Sequence, residues 1–445
     1  MRMKLPENVK NILEILEAHG YEAYAVGGCV RDTLLSRMPG DWDVTTSAKP
    51  EEVKALFTHT IDTGIEHGTV TVMMNHVGYE VTTYRIDGEY EDARHPKEVT
   101  FTAKLVEDLK RRDFTINAMA YNERSGLVDE FDGLGDLNRG IIRCVGDPME
   151  RFSDDALRML RAVRFAAQLG FTIEEETKAA IRRLAGNLAK VSVERIAVEL
   201  VKILTSNHPE EIRTAYELGL TAVFMPEFDV AMQTKQNNIH HMYTVGEHIL
   251  VSMQNVQPEK NIRLIMLFHD IAKPIVKTTD EDGVDHFRGH TQGGADLSRK
   301  ILRRLKFDNA TIDFTALMVK HHDDRPEKPV AIRRMFSEIG IEHVPMMLEI
   351  KRADLLGQST YQRESKMALV DNLEAHYKEC IENHYCLQKK DMSVNGSDLI
   401  KMGMKQGKDM GLVIDQLFDA VIEEPQLNER EKLLELAHKL ITPFI

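Results

Sequence analysis

Two aspartates two residues apart, Asp41 and Asp43, follow closely on a glycine pair, Gly27-Gly28. On a strand, side chains at i and i+2 point to one face. The spacing therefore predicts that both carboxylates converge, with Trp42 turned away. Converging carboxylates with no basic residue between them suit a divalent cation, and Mg²⁺ takes oxygen ligands together with substrate phosphates. The glycines let backbone N–H groups approach a polyphosphate, and a helix starting there favours its negative charge. Alone, either feature is an ordinary turn or solvated loop; together they imply metal-assisted nucleotidyl transfer.

A second constellation lies further along. His269-Asp270 ends the apolar run Ile262–Phe268, with His248 before it and Asp354 after it, and His290, His321 and His322 between. Imidazole and carboxylate together suit a hydrolytic transition-metal site.

The elements that must hold these residues differ along the chain. Up to about residue 137 the pattern is mixed α/β. A short helix over Val53–Phe57 follows Pro50, and Thr69–Met74 and Tyr79–Tyr84 alternate as strands do, with Val77-Gly78 as the turn between them. Residues 87–100 are charged, contain Pro96, and read as a loop. From about Ser153 the chain reads as almost wholly helical, with apolar residues at helical spacing in Leu157–Phe165, Thr177–Leu184 and Val193–Leu204. The composition shifts again near Gln233, where histidines cluster. An α/β head followed by a long helical body is expected, divided at 1–137, 138–232, 233–360 and 361–445.

Composition bounds the rest. At 445 residues the chain is long enough for several domains. No apolar run reaches the roughly 18 residues of a membrane span, and the N-terminus leads into an amphipathic pattern rather than a signal-peptide core. Cys29, Cys144, Cys380 and Cys386 form no C-x-x-C pair and no disulfide framework, which points to a reducing cytoplasm. The net charge of −14 argues against a general nucleic-acid binder. It hides basic stripes, however: six arginines against four acids from Arg139 to Arg164, and five basic residues without an acid from Arg299 to Lys306. These are either RNA-facing or solvated helix faces.

The string Gly27-Gly28-Cys29-Val30-Arg31-Asp32 followed by Asp41-Trp42-Asp43-Val44 resembles motif A of the DNA polymerase β superfamily of nucleotidyltransferases. Within it, the class II tRNA nucleotidyltransferases (CCA-adding enzymes) and bacterial poly(A) polymerases are the nearest match. That resemblance implies a polymerase β-like head, catalytic Asp41 and Asp43 holding Mg²⁺, and nucleotide contacts at Gly27, Gly28, Arg31 and Asp32. The segment Arg111 to Met119 resembles motif B, which implies ribose and phosphate contacts from Arg111, Arg112, Asp113 and Asn117. Asp129 to Gly133 fits motif C, a hinge. Asp154-Asp155-Ala156-Leu157-Arg158 fits motif D, which implies that Asp155 and Arg158 read the base edge of CTP or ATP, with Arg161 and Arg164 beside them at the nucleotide. Here the family usually has Glu-Asp; this chain has the shorter Asp154 first. Asp155 and Arg158, three apart on a helix, are expected to share a face. The stretch Asp87 to Pro96 resembles the loop that CCA-adding enzymes need to switch from C to A, with Arg94-His95 in place of the common Arg-Arg.

The order of His248, His269-Asp270 and Asp354 resembles the HD phosphohydrolase superfamily. It implies a metal site that binds Mn, Ni or Co, with phosphomonoesterase or cyclic phosphodiesterase chemistry, or else a silent HD fold. The reading is thus template-independent CCA addition to tRNA from CTP and ATP. The alternatives are a poly(A) polymerase or an enzyme adding only A, and, from another class, an HD phosphohydrolase with an RNA-binding head. Residues 370–445 carry no motif and read as helical tail.

Overall fold

The computed structural model describes residues 3–88 and 99–442 and divides into two units, Met1–Pro226 and Glu227–Ile445. The first opens on a helix, Glu7–Ala18, whose Val9, Ile12, Leu13 and Leu16 are buried at helical spacing. Strands follow: β1 (Ala23–Val26), β2 (Asp43–Thr46), β3 (Thr60–Gly64), β4 (Thr69–Met74), β5 (Val77–Thr83), β6 (Arg85–Asp87), β7 (Val99–Phe101), β8 (Met119–Asn122) and β9 (Gly126–Asp129). Seven of them form one sheet in the order β3-β4-β5-β2-β1-β8-β9. Only the β2–β5 pair in it is parallel; the other neighbours run antiparallel.

The centre of this sheet is buried on both sides. All four residues of β1 and of β8 are inaccessible, and Tyr24, Val26, Tyr84, Leu105, Leu109, Ala118, Ala120 and Val145 pack into one apolar cluster. The ladder between β1 and β2 ends where Val26 faces Asp43. Beyond it Gly27 turns to φ 82°, a conformation that L side chains rarely adopt. The chain then enters the helix Gly28–Leu34.

The structure departs from three sequence expectations. Asp41 is not on the strand: β2 begins at Asp43, because Gly27 leaves the ladder opposite that point. The turn between β4 and β5 is Asn75-His76, at φ 50° and 64°, not Val77-Gly78. A two-residue hairpin turn of type I′ needs positive φ at both central residues, which Asn tolerates. Gly78 instead lies in the ladder opposite Met73, where an added Cβ would meet Thr71 Cγ2 at 2.9 Å. Third, Asp155 is not on a helix. It sits at φ −139° in the break between the helices Pro148–Asp154 and Leu157–Leu169. The charged loop read at Asp87 to Pro96 lies, from residue 89 on, outside the described residues; β6 and β7 pair on either side of it.

The remainder of the first unit is helical apart from a short parallel strand pair, Ile141–Ile142 with Thr172–Ile173, and its helices include Leu157–Leu169, Glu175–Leu184 and Val193–Leu204, as the spacing predicts. The second unit is almost entirely helical. Its elements include Val245–Met253, Lys260–Phe268, His290–Arg304, Asn309–His321 and Val344–Gly357. Residues 386–441 build their own apolar cluster around Leu399, Val413, Leu417, Val421 and Leu433. No helix among the described residues is long and apolar enough to cross a membrane.

Candidate active site and candidate metal centre

The ends of β1, β2 and β8 bring the first set of residues together. Gly27 N–H donates to Met119 O at 3.1 Å, so motif A and motif B residues meet at one end of the central strands. Asp43, half-buried at the start of β2, feels burial first and then the charge of Asp41; Arg112 opposes both, and its carboxyl ends pushed up to about 6. A partly buried carboxylate beside a second negative charge is what a divalent cation relieves. The donor set therefore fits such an ion.

Arg112 reaches this point because Asp108 holds it there. Asp108 is fully buried in the helix Leu105–Lys110 and accepts from Arg111 Nη2 at 2.7 Å, Arg112 Nη2 at 3.4 Å and Thr45 Oγ1 at 3.2 Å. Burial would raise its carboxyl, but Arg111 and Arg112 more than reverse that and keep it ionised. A Cβ on Gly27 would lie 2.8 Å from Arg112 Nη1, so the glycine is also the space in which that guanidinium rests.

Deeper in this unit, Arg31 donates to Asn117 Oδ1 at 2.7 Å and pairs with Asp32 at 2.8 Å. Asn117 in turn donates to Asp113 Oδ1, and Arg161 grips Asp113 Oδ2 through Nε at 2.8 Å and Nη2 at 2.6 Å. Asp113 is buried, which would raise its carboxyl; Arg161 and Arg158 hold it well below the usual carboxylate range. Arg164 pairs with Glu199 at 2.6 Å. Burial brings its guanidinium down to about 10. The Phe165 ring has Arg31, Arg161 and Arg164 at 5.1, 5.5 and 4.0 Å from its centroid. Three guanidiniums thus gather on one aromatic ring, each of them paired with a carboxylate, Asp32, Asp113 or Glu199.

Asp155 and Arg158 do not pair. Asp155 Oδ1 caps the following helix by accepting from Leu157 N, and Oδ2 takes Arg195 at 2.8 Å. Arg158 donates to Arg111 O at 3.1 Å and lies 4.0 Å from Asp154. The basic stripe from Arg139 to Arg164 is in large part internally neutralised, with Asp136 taking both Arg139 and Arg143. Sequence reading passed over Asp108, Phe165, Arg195 and Glu199. Only Asp108 carried a signal, an acid three and four residues before the two arginines.

The second unit gathers the other set. His248, His269, Asp270 and Asp354 place their ligand atoms within 4.8 Å of one another, all buried. His248 Nε2 is 2.9 Å from Asp354 Oδ1 and 3.2 Å from Asp270 Oδ2. His248 Nδ1 is 3.0 Å from Gly357 O, and His269 Nδ1 is 2.7 Å from Met266 O. A carbonyl only accepts, so each Nδ1 carries a proton, and a neutral ring then presents its Nε2 lone pair inward. The two Nε2 atoms are 3.1 Å apart. Something positive must lie between them: a metal ion, or a proton on His248, whose ring Asp270 and Asp354 push up to about 9 against burial. Ligating histidines are typically oriented by such second hydrogen bonds, so these residues fit a metal.

The centre opens into a cavity of about 470 Å³ whose lining includes Lys273, Arg288, Arg325 and Lys366. Lys351, read from sequence only as part of a local pattern, is buried and donates to the carbonyls of His322 and Asp324 at 2.7 and 2.6 Å. It thereby holds the end of the helix that carries His322. His321 turns away and pairs with Asp324 at 2.6 Å.

Comparison with known proteins adds the following. Residues 23–143 match the family model of the poly A polymerase head domain, 170–232 that of an RNA- and SrmB-binding site of polymerase A, and 290–437 that of tRNA nucleotidyltransferase domain 2. The chain is 37% identical over 434 residues to the CCA-adding enzyme of Lactiplantibacillus plantarum, covering 96% of this chain and 95% of that one. It is 34% identical over 450 residues to the CCA-adding enzyme of Limosilactobacillus fermentum, covering 98% and 97%. The fold is similar to the crystal structure of the Bacillus stearothermophilus CCA-adding enzyme in complex with CTP, with a TM-score of 0.72, 30% identity and 98% of each chain covered.

Proposed function

Because the chain belongs to the CCA-adding enzymes, the class II tRNA nucleotidyltransferases, we propose how its own residues perform that family's reaction. The enzyme adds C, C and A to the 3′ end of tRNA from CTP and ATP, without a nucleic-acid template. Asp41 and Asp43 would hold Mg²⁺, which would supply activation of the 3′-hydroxyl for attack on the α-phosphate and stabilisation of charge on the leaving pyrophosphate. The observation that carries this reading is the meeting of Gly27, Asp43 and Arg112 at the ends of β1 and β2, where Val26 faces Asp43 and the Arg112 guanidinium rests in the space a Cβ on Gly27 would take.

The remaining residues position the nucleotide. Arg111 and Arg112, fixed by Asp108, and the guanidiniums of Arg31, Arg161 and Arg164 around Phe165 receive the triphosphate and the ribose. Gly27, Gly28, Asp32, Asp113 and Asn117 shape and brace that pocket. Asp155 and Arg158 read the base edge. In the free protein each is satisfied by a protein partner, Arg195 and the Arg111 carbonyl, and the base exchanges for these. The head, neck, HD and tail divisions at 137, 232 and 360 and a cytoplasmic location complete the proposal; the four cysteines are free thiols. The test is direct. Asp41→Ala and Asp43→Ala should each lose nucleotide addition while tRNA binding stays near wild type. Normal incorporation at saturating Mg²⁺ by either would remove the assignment.

A second activity rests on a separate observation, the opposed Nε2 atoms of His248 and His269 beside two carboxylates. We propose that His248, His269, Asp270 and Asp354 bind a divalent transition metal such as Mn²⁺, Ni²⁺ or Co²⁺. Such an ion would supply an acidified water for attack on phosphate monoesters or 2′,3′-cyclic phosphates.

A further inference from the structure

The ring of Phe165 has three guanidiniums over it, and they come from two elements. Arg161 and Arg164 precede Phe165 on its own helix, Leu157–Leu169, whereas Arg31 arrives from the helix Gly28–Leu34. Phe114, the neighbour of Asp113 in the chain, meets the ring edge-on, with centroids 5.7 Å apart and planes at 80°. That contact sets the plane of the Phe165 ring and so the direction in which its faces look.

The alternative is an ordinary core phenylalanine. Phe165 is 4% exposed and Phe114 is fully buried, so apolar packing accounts for the edge contact. It does not account for the faces. An aromatic face carries negative potential and attracts a cation within about 6 Å of its centroid. The acids do not gather all three arginines. Arg31 and Arg161 are joined through Asn117 and Asp113. Arg164 is held by Glu199, from the helix Val193–Leu204. The ring is where Arg164 meets the other two, and Arg164 lies nearest its centre, at 4.0 Å. A further carboxylate at this point would gather the arginines more strongly, but it would repel a triphosphate. A ring gathers them without adding charge. Attraction to its face needs none of the N–H groups, so those are left for phosphate oxygens.

We propose that Phe165 is a positioning residue for the incoming nucleotide: its ring holds Arg31, Arg161 and Arg164 in one arrangement, in which they meet the polyphosphate together. The proposal rests on the nucleotide-site reading above.

The test alters the charge on the ring face and little else. In the full-length protein, Phe165 is exchanged for its mono-, di- and trifluorinated analogues, which draw electron density from the face and keep the ring apolar. Phe165→Leu removes the ring altogether. Dissociation constants for CTP, ATP and CMP are measured by calorimetry. Those for CTP and ATP should rise step by step with fluorine number, roughly 3- to 30-fold across the series, with their ratio unchanged. Phe165→Leu should weaken both at least as far as the trifluorinated ring does. CMP, with a single phosphate, should show a shallower rise. Affinities that stay flat or tighten across the fluorinated series overturn the proposal, even where Phe165→Leu is impaired, because the ring then acts by packing alone. Equal rises for CMP and CTP also overturn it, by placing the effect on the base or ribose. A wild type that binds neither CTP nor ATP overturns the nucleotide-site reading, and this proposal with it.

Discussion

Asp43→Asn should stabilise the metal-free protein while abolishing nucleotide addition. Asp43 is held at about 6 against an ordinary 3.8, so ionising it in the folded state is unfavourable at neutral pH. The difference converts to a ceiling of about 3 kcal/mol. Asp43 is only partly buried, and cleft water screens it, so a gain of about 1 to 2 kcal/mol is expected. For a unit of this size that is a rise of roughly 2–8 °C in melting temperature. The sign follows from the raised carboxyl: the penalty is full above about 6 and disappears below 3.8. The advantage of the variant should therefore be largest at pH 8 and shrink as pH falls through 6 toward 4. Mg²⁺ should reverse the order by stabilising the wild type, by about 2.7 kcal/mol at a hundredfold excess over its dissociation constant. Differential scanning fluorimetry with chelator or Mg²⁺ across that pH range measures all of this. A variant that melts at or below wild type in chelator at pH 8, or an advantage unchanged at pH 4, would refute the argument.

Two further outcomes follow from the geometry. Arg158→Ala should lower the preference for CTP and ATP over UTP and GTP by the worth of one charged hydrogen bond, about 1.5–3 kcal/mol; an unchanged preference with a lower overall rate would mean that this residue does not read the base. Asp270→Ala should lose metal-dependent phosphohydrolysis and keep CCA addition, because the two sites share no ligand; hydrolysis equal in variant and wild type under Mg²⁺, Mn²⁺, Ni²⁺ and Co²⁺ would leave the cluster without that activity.

What sequence revealed follows from how local each feature is. The glycine pair and the two aspartates were legible because their spacing is short and their chemistry narrow. The helices Leu157–Leu169 and Val193–Leu204 were legible from apolar periodicity. The strand reading of Asp41 failed because a ladder ends where its partner leaves, and Gly27 leaves opposite Asp43. The helical pairing of Asp155 with Arg158 failed because Asp155 breaks the helix to cap the next, and Arg195, 40 positions away, takes its second oxygen. No local pattern announces such a partner. The same holds for Phe165, whose ring gathers Arg31 from 134 positions earlier. His290 and His322 were visible as histidines but not as a pair, because only the folded second unit sets them on one oxygen of Asp270.

The measurement that bears most directly on the central claim is incorporation of labelled nucleotides into tRNA transcripts that end before the first C of the tail, after the second C, or complete. The purified protein with Mg²⁺ should add C, C and then A to the first, A alone to the second and nothing to the third, and should stop there. Open-ended addition of A, addition of A without C, or no incorporation into any transcript would contradict it.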